Sequence, residues 1–213
     1  MNDLTELVFI IDKSGSMWHL ADSTIAGFND VIESQRKTPG EKIVSIILFN
    51  HNSEVLCDRK AISDICSLTE NDYNPHGNTA LLDALQVTMN DIANRHRALE
   101  KENLPENTIF FITTDGKENA SRGATEESVR RTIEYHKEND GWQFVFLAAN
   151  LDAVSTAARY GIDSRHSVRY HNDARGTALK FKAMNRYIEN VVYNADENDW
   201  ANELKEDYSL RAK

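Results

Sequence analysis

Three oxygen-bearing side chains lie close together near the amino end of the chain. Asp12, Ser14 and Ser16 occupy alternate positions, with Gly15 between the serines, directly after the apolar run of residues 7–11. A carboxylate and two hydroxyls can converge from one short loop, because glycine lets the backbone turn tightly between them. Oxygen ligands of this kind suit a hard divalent cation. The same residue types also form ordinary turns and helix N-caps, so this stretch alone leaves both interpretations open.

Two later stretches place similar oxygens at the ends of predicted elements. Thr79 stands at the start of a strong helical pattern, and Asp115 follows the apolar run of residues 108–112. That run and residues 7–11 are short, apolar and rich in β-branched or aromatic residues, as fully buried strands are. Loops that follow the strands of an open α/β sheet are where such folds bind ligands. The residues therefore predict a ligand site at one edge of a sheet.

The motifs occur in the order Asp-x-Ser-x-Ser, then threonine at a helix start, then Asp-Gly after a strand. This order resembles the metal ion-dependent adhesion site of the von Willebrand factor type A domain. The resemblance implies that Asp12, Ser14, Ser16, Thr79 and Asp115 hold one Mg²⁺, with Mn²⁺ or Ca²⁺ as substitutes. It implies direct hydroxyl ligands from the serines, and aspartates that act mostly through bound water. It also implies that an Asp or Glu of a partner protein completes the coordination.

The rest of the chain alternates between strand and helix patterns. Strands are expected at residues 7–11, 42–50, 54–58, 108–112, 142–149 and 167–170, and helices at 17–36, 79–97, 123–138, 152–160 and 178–192. Alternation at this spacing implies parallel strands with right-handed crossovers, and a hairpin within residues 42–58 adds one antiparallel edge strand. We expect a doubly wound, Rossmann-like three-layer α/β sandwich. Its central six-stranded sheet should be mostly parallel, with helices on both faces.

We expect two parts, a von Willebrand factor type A domain over residues 1–195 and a C-terminal extension over 196–213. In the extension, Trp200, Leu204 and Tyr208 are spaced by four, so a helix there would carry one apolar stripe. The stripe either packs on the domain's own elements or docks onto a partner chain. In the second case an acidic side chain of the extension would lie near a cation.

Composition limits the partners and the cellular location. The 213 residues carry a formal net charge of -10, which disfavours nucleic acid and anionic membrane as partners. No apolar stretch approaches the roughly 20 residues of a membrane span, and none is flanked as a signal peptide is. Cys57 and Cys66 have no zinc-site spacing, and we expect them to be free thiols. These features favour a cytoplasmic protein. The resemblance implies a bacterial-type intracellular member, partnered with an AAA+ ATPase or a stress-response complex.

The main alternative is a Mg²⁺-dependent phosphoryl-transfer or hydrolytic enzyme in which Asp12 is the nucleophile. The haloacid dehalogenase pattern requires a second aspartate two residues later, and this chain has Ser14 there. The chain also has neither a G-x-S-x-G elbow nor a G-x-x-x-x-G-K-[ST] phosphate loop. We therefore expect no enzyme but a metal-dependent protein-interaction module.

Three residues near the motifs are not expected to be ligands. Lys13 is excluded by its charge and should point into solvent or steer an acidic partner. Asp83 lies in the first turn of its predicted helix, where an acid interacts favourably with the helix dipole. His76 adjoins the Thr79 loop, but a hard cation with oxygen ligands at hand leaves it little role.

Overall fold

The computed structural model describes residues 3–149, 152–196 and 199–211. These residues form six strands: β1 Leu4–Asp12, β2 Glu41–Phe49, β3 Ser53–Ala61, β4 Asn107–Thr114, β5 Gln143–Ala149 and β6 Ser167–Tyr170. The same ranges contain six α-helices: α1 Ala21–Arg36, α2 Leu81–Arg97, α3 Glu126–Asn139, α4 Ala153–Arg159, α5 Ala174–Val192 and α6 Asn202–Arg211. Within them, no helix combines the length and apolar character needed to cross a bilayer.

The strands form one sheet in the order β3-β2-β1-β4-β5-β6. β3 pairs antiparallel with β2, and every other neighbouring pair is parallel. This arrangement confirms the predicted doubly wound sheet with one antiparallel edge strand. The direction of winding reverses at β1, because β2 and β4 lie on its two sides. The carboxyl ends of β1 and β4 therefore flank the crevice where open α/β sheets bind ligands.

Both faces of β1 are covered, which explains its uninterrupted apolar run. Leu7, Phe9 and Ile11 face the core shared with α1 and α5, whereas Val8 and Ile10 face the core shared with α2, α3 and α4. All five side chains are buried. A central strand in a three-layer sandwich needs apolar residues at consecutive positions, since successive side chains point to opposite faces.

Local structure moves several helix boundaries away from those expected. The first helix begins at Ala21, because residues Gly15–Leu20 form a 3₁₀ helix. α3 begins after Thr125, which forms a capping box with Ser128. α5 begins four residues earlier than expected, because the Asp173 carboxylate accepts a 2.8 Å hydrogen bond from the Gly176 backbone N–H.

The C-terminal segment packs on the domain's own elements. Trp200 and Leu204 are buried with α5 and β6. The Trp200 indole N–H donates to the Arg165 carbonyl at 3.0 Å, and the Tyr208 ring stacks on His171 with centroids 4.5 Å apart. The structure thus supports the first of the two expected placements of the stripe. A division of the chain at residue 195 stays a prediction. Cys57 and Cys66 are free, as expected.

Candidate metal centre

The candidate site lies in loops at the carboxyl edge of the sheet. One loop follows β1, a second leads into α2, and a third follows β4. Backbone hydrogen bonds connect the first two: the His76 N–H donates to the Lys13 carbonyl at 2.8 Å, and the Gly15 N–H donates to the Gly77 carbonyl at 2.9 Å. Gly77 has a φ of +76°, and a Cβ there would overlap the ring of His51. The loop before α2 can take this path only because residue 77 is glycine.

Ser14, Ser16 and Asp115 form a continuous row of oxygens. The two serine hydroxyls are 3.2 Å apart, and the Ser16 hydroxyl donates to Oδ1 of Asp115 at 2.5 Å. Ser14 precedes the 3₁₀ helix, whose Met17 and Leu20 side chains are buried. This anchoring turns the chain directly after β1, so that both serines lie beside the end of β4.

Asp12 is held at the base of this row. The side chain is buried, and its Oδ1 accepts from the Ser14 backbone N–H at 2.7 Å while Oδ2 accepts from the Thr114 hydroxyl at 2.6 Å. Burial raises the Asp12 pKa to about 6, although the hydrogen bonds from Thr114 and Ser14 act in the opposite direction. The negative charge of Asp115 raises the pKa further. A nearby cation would relieve both unfavourable effects.

Thr79 joins the same cluster from the second loop. Asn119 fixes its backbone on both sides, because the Thr79 N–H donates to Asn119 Oδ1 at 2.9 Å and the Thr79 carbonyl accepts from the Asn119 N–H at 3.0 Å. A Cβ on Gly116 would lie 3.1 Å from the Thr79 hydroxyl and 3.5 Å from that of Ser16. Glycine at position 116 therefore keeps room between these two hydroxyls and the loop after β4.

The structure brings all five predicted residues to one place. Within the described ranges, no three side chains of His, Cys, Asp or Glu type gather as metal-binding groups do. The donors here are two carboxylates and three hydroxyls, which suit Mg²⁺ or Mn²⁺ better than a soft metal. The chemistry of the donor set therefore fits a hard divalent cation.

The structure also places the three residues near the motifs that were not expected to be ligands. Lys13 does not point into solvent: it forms an ion pair with Glu54 on the edge strand, and its side chain is only 11% exposed. Asp83 does more than face a helix dipole, since its carboxylate accepts from the backbone N–H groups of residues 122, 123 and 124 at 2.8, 3.0 and 2.7 Å. His76 contacts the Asn74 carbonyl through Nδ1 at 2.8 Å.

Sequence reasoning missed three residues that support the site. Thr114 bonds Asp12, the Asn172 side-chain amide donates to Asp115 Oδ2 at 3.2 Å, and the Tyr73 hydroxyl donates to the Asp12 carbonyl. Thr114 adjoins a motif residue, and Asn172 follows the end of β6, so strand ends offered a signal for both. The position of Tyr73 in a weakly patterned connection offered none.

Comparison with known proteins gives one family and a set of related folds. A family model described as the von Willebrand factor type A domain matches residues 7–117, just over half of the chain. The vWF domain of the type V pili tip protein Mfa5 from Porphyromonas gingivalis is similar in structure, with a TM-score of 0.64 and 12% identity over 88% of this chain and 96% of that chain. A comparison with curated proteins finds no match.

Two other similar structures were determined with a metal. Manganese-loaded Plasmodium vivax TRAP protein has a TM-score of 0.56 and 17% identity over 85% of this chain and 73% of its own. Proximal thread matrix protein 1 from the mussel byssus, with a zinc-occupied MIDAS motif, has a TM-score of 0.60 and 10% identity over 85% of this chain. The present chain spans only 45–47% of the mussel protein. At these identities the likeness concerns the fold.

Proposed function

Because the chain belongs to the von Willebrand factor type A domain family, we propose that it is a metal-dependent protein-interaction module. Asp12, Ser14, Ser16, Thr79 and Asp115 would hold one Mg²⁺, with Mn²⁺ or Ca²⁺ as substitutes. The observation that carries this proposal is the row of oxygens from Ser14 through Ser16 to Asp115, with Thr79 beside it. The metal-containing Plasmodium vivax and mussel proteins of the same fold support it.

The residues around the centre suit a ligand that arrives with a negative charge. When bound, Mg²⁺ would supply a Lewis-acidic position for a carboxylate oxygen of a partner's Asp or Glu. The hydroxyls of Ser14, Ser16 and Thr79 are neutral, so Asp12 and Asp115 are the only proposed ligands that bring negative charge to the cation. The Ser14 N–H and the Thr114 hydroxyl hold Asp12 in one orientation, and such support fixes the geometry of a metal site.

Residues on the surface beside the centre would determine which partner binds. Trp18 is 73% exposed on the 3₁₀ helix that contains Ser16, and exposed tryptophan is a frequent anchor in interfaces. A polar groove of about 610 Å³ is lined by Asn78 and Asn119, which neighbour Thr79 in the chain and through hydrogen bonds. Its lining includes His51, Asn52, Asn78, Asn119, Ser121 and Arg122. An acidic segment with hydrogen-bonding neighbours would fit this combination.

From the family resemblance and the composition, we extend the proposal to the cellular location of the protein, its partner and its domain bounds. The module would be a bacterial-type intracellular one in the cytoplasm, and the free cysteines Cys57 and Cys66 support this location. Its partner would be an AAA+ ATPase or part of a stress-response complex. Residues 1–195 would form the domain and residues 196–213 its C-terminal extension.

The hydrogen bonds of Asp12 favour binding over enzymatic phosphoryl transfer. A nucleophilic aspartate needs one oxygen directed at the substrate, whereas both oxygens of Asp12 accept hydrogen bonds from the protein. We expect purified protein to turn over neither phosphate esters nor acyl esters. Turnover that is lost in Ser14→Ala would favour the enzyme instead.

Calorimetric titration with Mg²⁺ tests the proposed centre. Ser14→Ala removes one hydroxyl that makes no capping hydrogen bond, so the fold should survive and the affinity should fall at least about tenfold. Ser53→Ala is the matched control, because Ser53 is exposed at the start of β3. Equal affinity in the wild type and Ser14→Ala, or a fall of the same size in the control, would contradict the assignment.

A further inference from the structure

Lys180 on α5 is a buried ammonium group without a hydrogen-bond partner. The residue is completely buried, and its Nζ makes no hydrogen bond with the described part of the chain. It lies 4.8 Å from the ring centroid of Tyr170 and 4.5 Å from that of Phe181. Aromatic faces attract a cation, but lysine is almost never fully buried unless a negative group pairs with it. The packing of the core alone therefore does not explain a lysine at this position.

The negative charges that act on Lys180 belong to the candidate metal centre. Burial lowers the Lys180 pKa to about 7, and the carboxylates of Asp115 and Asp12 act in the opposite direction. The Tyr170 hydroxyl, next to the lysine, donates to the Thr114 carbonyl directly before Asp115. The path from the ammonium across the Tyr170 ring to the Thr114 carbonyl runs through the buried interior. Solvent and salt screen charges only weakly there, so the ammonium and the two carboxylates act on one another.

We propose that Lys180 is a fixed positive charge with two effects on the centre: it lowers the affinity for the cation, and it raises the affinity of the metal-loaded centre for a partner's carboxylate. This inference rests on the proposed function. Asp12 and Asp115 together balance one divalent cation, so a charged Lys180 leaves the loaded centre with an excess of positive charge. The same lysine offsets part of the repulsion between the two carboxylates before a cation binds. It would therefore weaken cation binding and favour an anionic ligand.

A purely structural role gives a different expectation. If Lys180 only fills space between the rings of Tyr170 and Phe181, methionine should replace it without effect on the centre, because its unbranched chain is similar in length. Lys180→Met then alters stability and nothing else. The proposed role instead predicts two binding effects of opposite sign.

The first measurement is Mn²⁺ and Mg²⁺ affinity by calorimetry at pH 6.5. We expect Lys180→Met to bind either ion about tenfold more tightly than the wild type, or by about 1.4 kcal/mol. Lys182→Met is the matched control, since Lys182 lies on the same helix, is 66% exposed and pairs with Glu203 at 2.6 Å. It changes the net charge equally but should leave the affinity unchanged.

The second measurement uses acetate as the carboxylate probe. Acetate binding to the Mn²⁺-loaded protein, followed by water-proton relaxation at constant ionic strength, should weaken in Lys180→Met and stay the same in Lys182→Met. Tighter metal binding together with weaker acetate binding is the signature of a removed positive charge. A loosened structure would weaken both.

The outcomes separate this inference from the function on which it rests. If wild-type protein binds neither ion, both the centre and the role of Lys180 are refuted. If the wild type binds and Lys180→Met has the same metal affinity, only the role of Lys180 is refuted. If Lys180→Met does not fold, NMR of the lysine side chains in the wild type decides. Mg²⁺ should shift the Lys180 Cε signals and leave those of Lys182 in place, and an unmoved Lys180 signal overturns the proposal.

Discussion

Asp12 carries a charge that the folded protein disfavours. Burial raises its pKa to about 6 from an ordinary value of 3.8, so the folded state holds this proton more tightly than the unfolded chain does. The folded state is then the more protonated one between about pH 4 and 6, and the contribution of Asp12 to stability falls as pH rises through that window. Above pH 6 the cost stays constant, on the order of 3 kcal/mol.

The variant Asp12→Asn should therefore be more stable than the wild type without metal. Asparagine keeps an acceptor for the Ser14 N–H but removes the charge, so the melting temperature at pH 8 should rise while Mg²⁺ binding is lost. The gain should disappear near pH 4, where wild-type Asp12 is protonated in the folded state. Thermal unfolding by circular dichroism from pH 4 to 8 in chelator measures it. The exposed Asp22→Asn is the control, and a less stable Asp12→Asn at pH 8 would refute the expectation.

Asn172 should matter for metal affinity without being a ligand. Its side-chain amide donates to Asp115 Oδ2 at 3.2 Å and so orients the carboxylate whose other oxygen accepts from Ser16. Removing such a supporting residue typically costs about 10–100-fold in metal affinity. Asn172→Ala should show a loss of that size by calorimetry, with little change in melting temperature. Asn139→Ala, at the exposed end of α3, should show none, and an unchanged Asn172→Ala would exclude a positioning role.

At the scale of elements, the strands and the site motifs were predictable because their signals are local. Apolar runs marked the interiors of β1 and β4, and both runs ended where the structure places Asp12 and Asp115. The supporting contacts were not predictable in this way. The bond between Asp115 and Asn172 joins positions 57 residues apart, and the ion pair of Lys13 depends on β3 lying at the sheet edge. Such contacts follow only once the order of strands is known.

The packing of α1 on α5 depends on a glycine inside a helix. Gly27 is buried on α1, and a Cβ at this position would overlap the ring of Phe181 on α5. In an exposed helix, glycine to alanine stabilises by up to about 1 kcal/mol, but overpacking a core costs about 1–3 kcal/mol. We expect Gly27→Ala to lower the free energy of unfolding by an amount in the second range, measured by urea denaturation.

The control for Gly27→Ala is Gly123→Ala. A Cβ at Gly123 would make only an ordinary 3.4 Å contact with the Asp83 carboxylate, and the backbone there lies outside the left-handed region. Its stability should change by less than about 0.5 kcal/mol. A stabilised Gly27→Ala would mean that the α1–α5 interface adjusts more easily than its packing indicates.

At the scale of the whole molecule, the C-terminal helix is connected to the metal centre through the segment after β6. The Tyr208 ring stacks on His171, and Arg211 forms an ion pair with Asp173, the residue that caps α5. Asn172 lies between these two contacts and bonds Asp115. α6 thus helps to hold the residue that orients a proposed ligand, although it lies outside the three loops that form the site.

Truncation after Asn194 should therefore affect both stability and binding. It removes the buried Trp200 and Leu204, and the loss of one buried tryptophan alone costs about 3–5 kcal/mol, so the melting temperature should fall clearly. It also frees the segment that carries Asn172, so Mg²⁺ affinity, measured well below the melting point, should fall as in Asn172→Ala. Leu210→Ala, at a position 72% exposed, should change neither property. A truncated protein that melts lower but binds Mg²⁺ normally would show that α6 serves the core and not the centre.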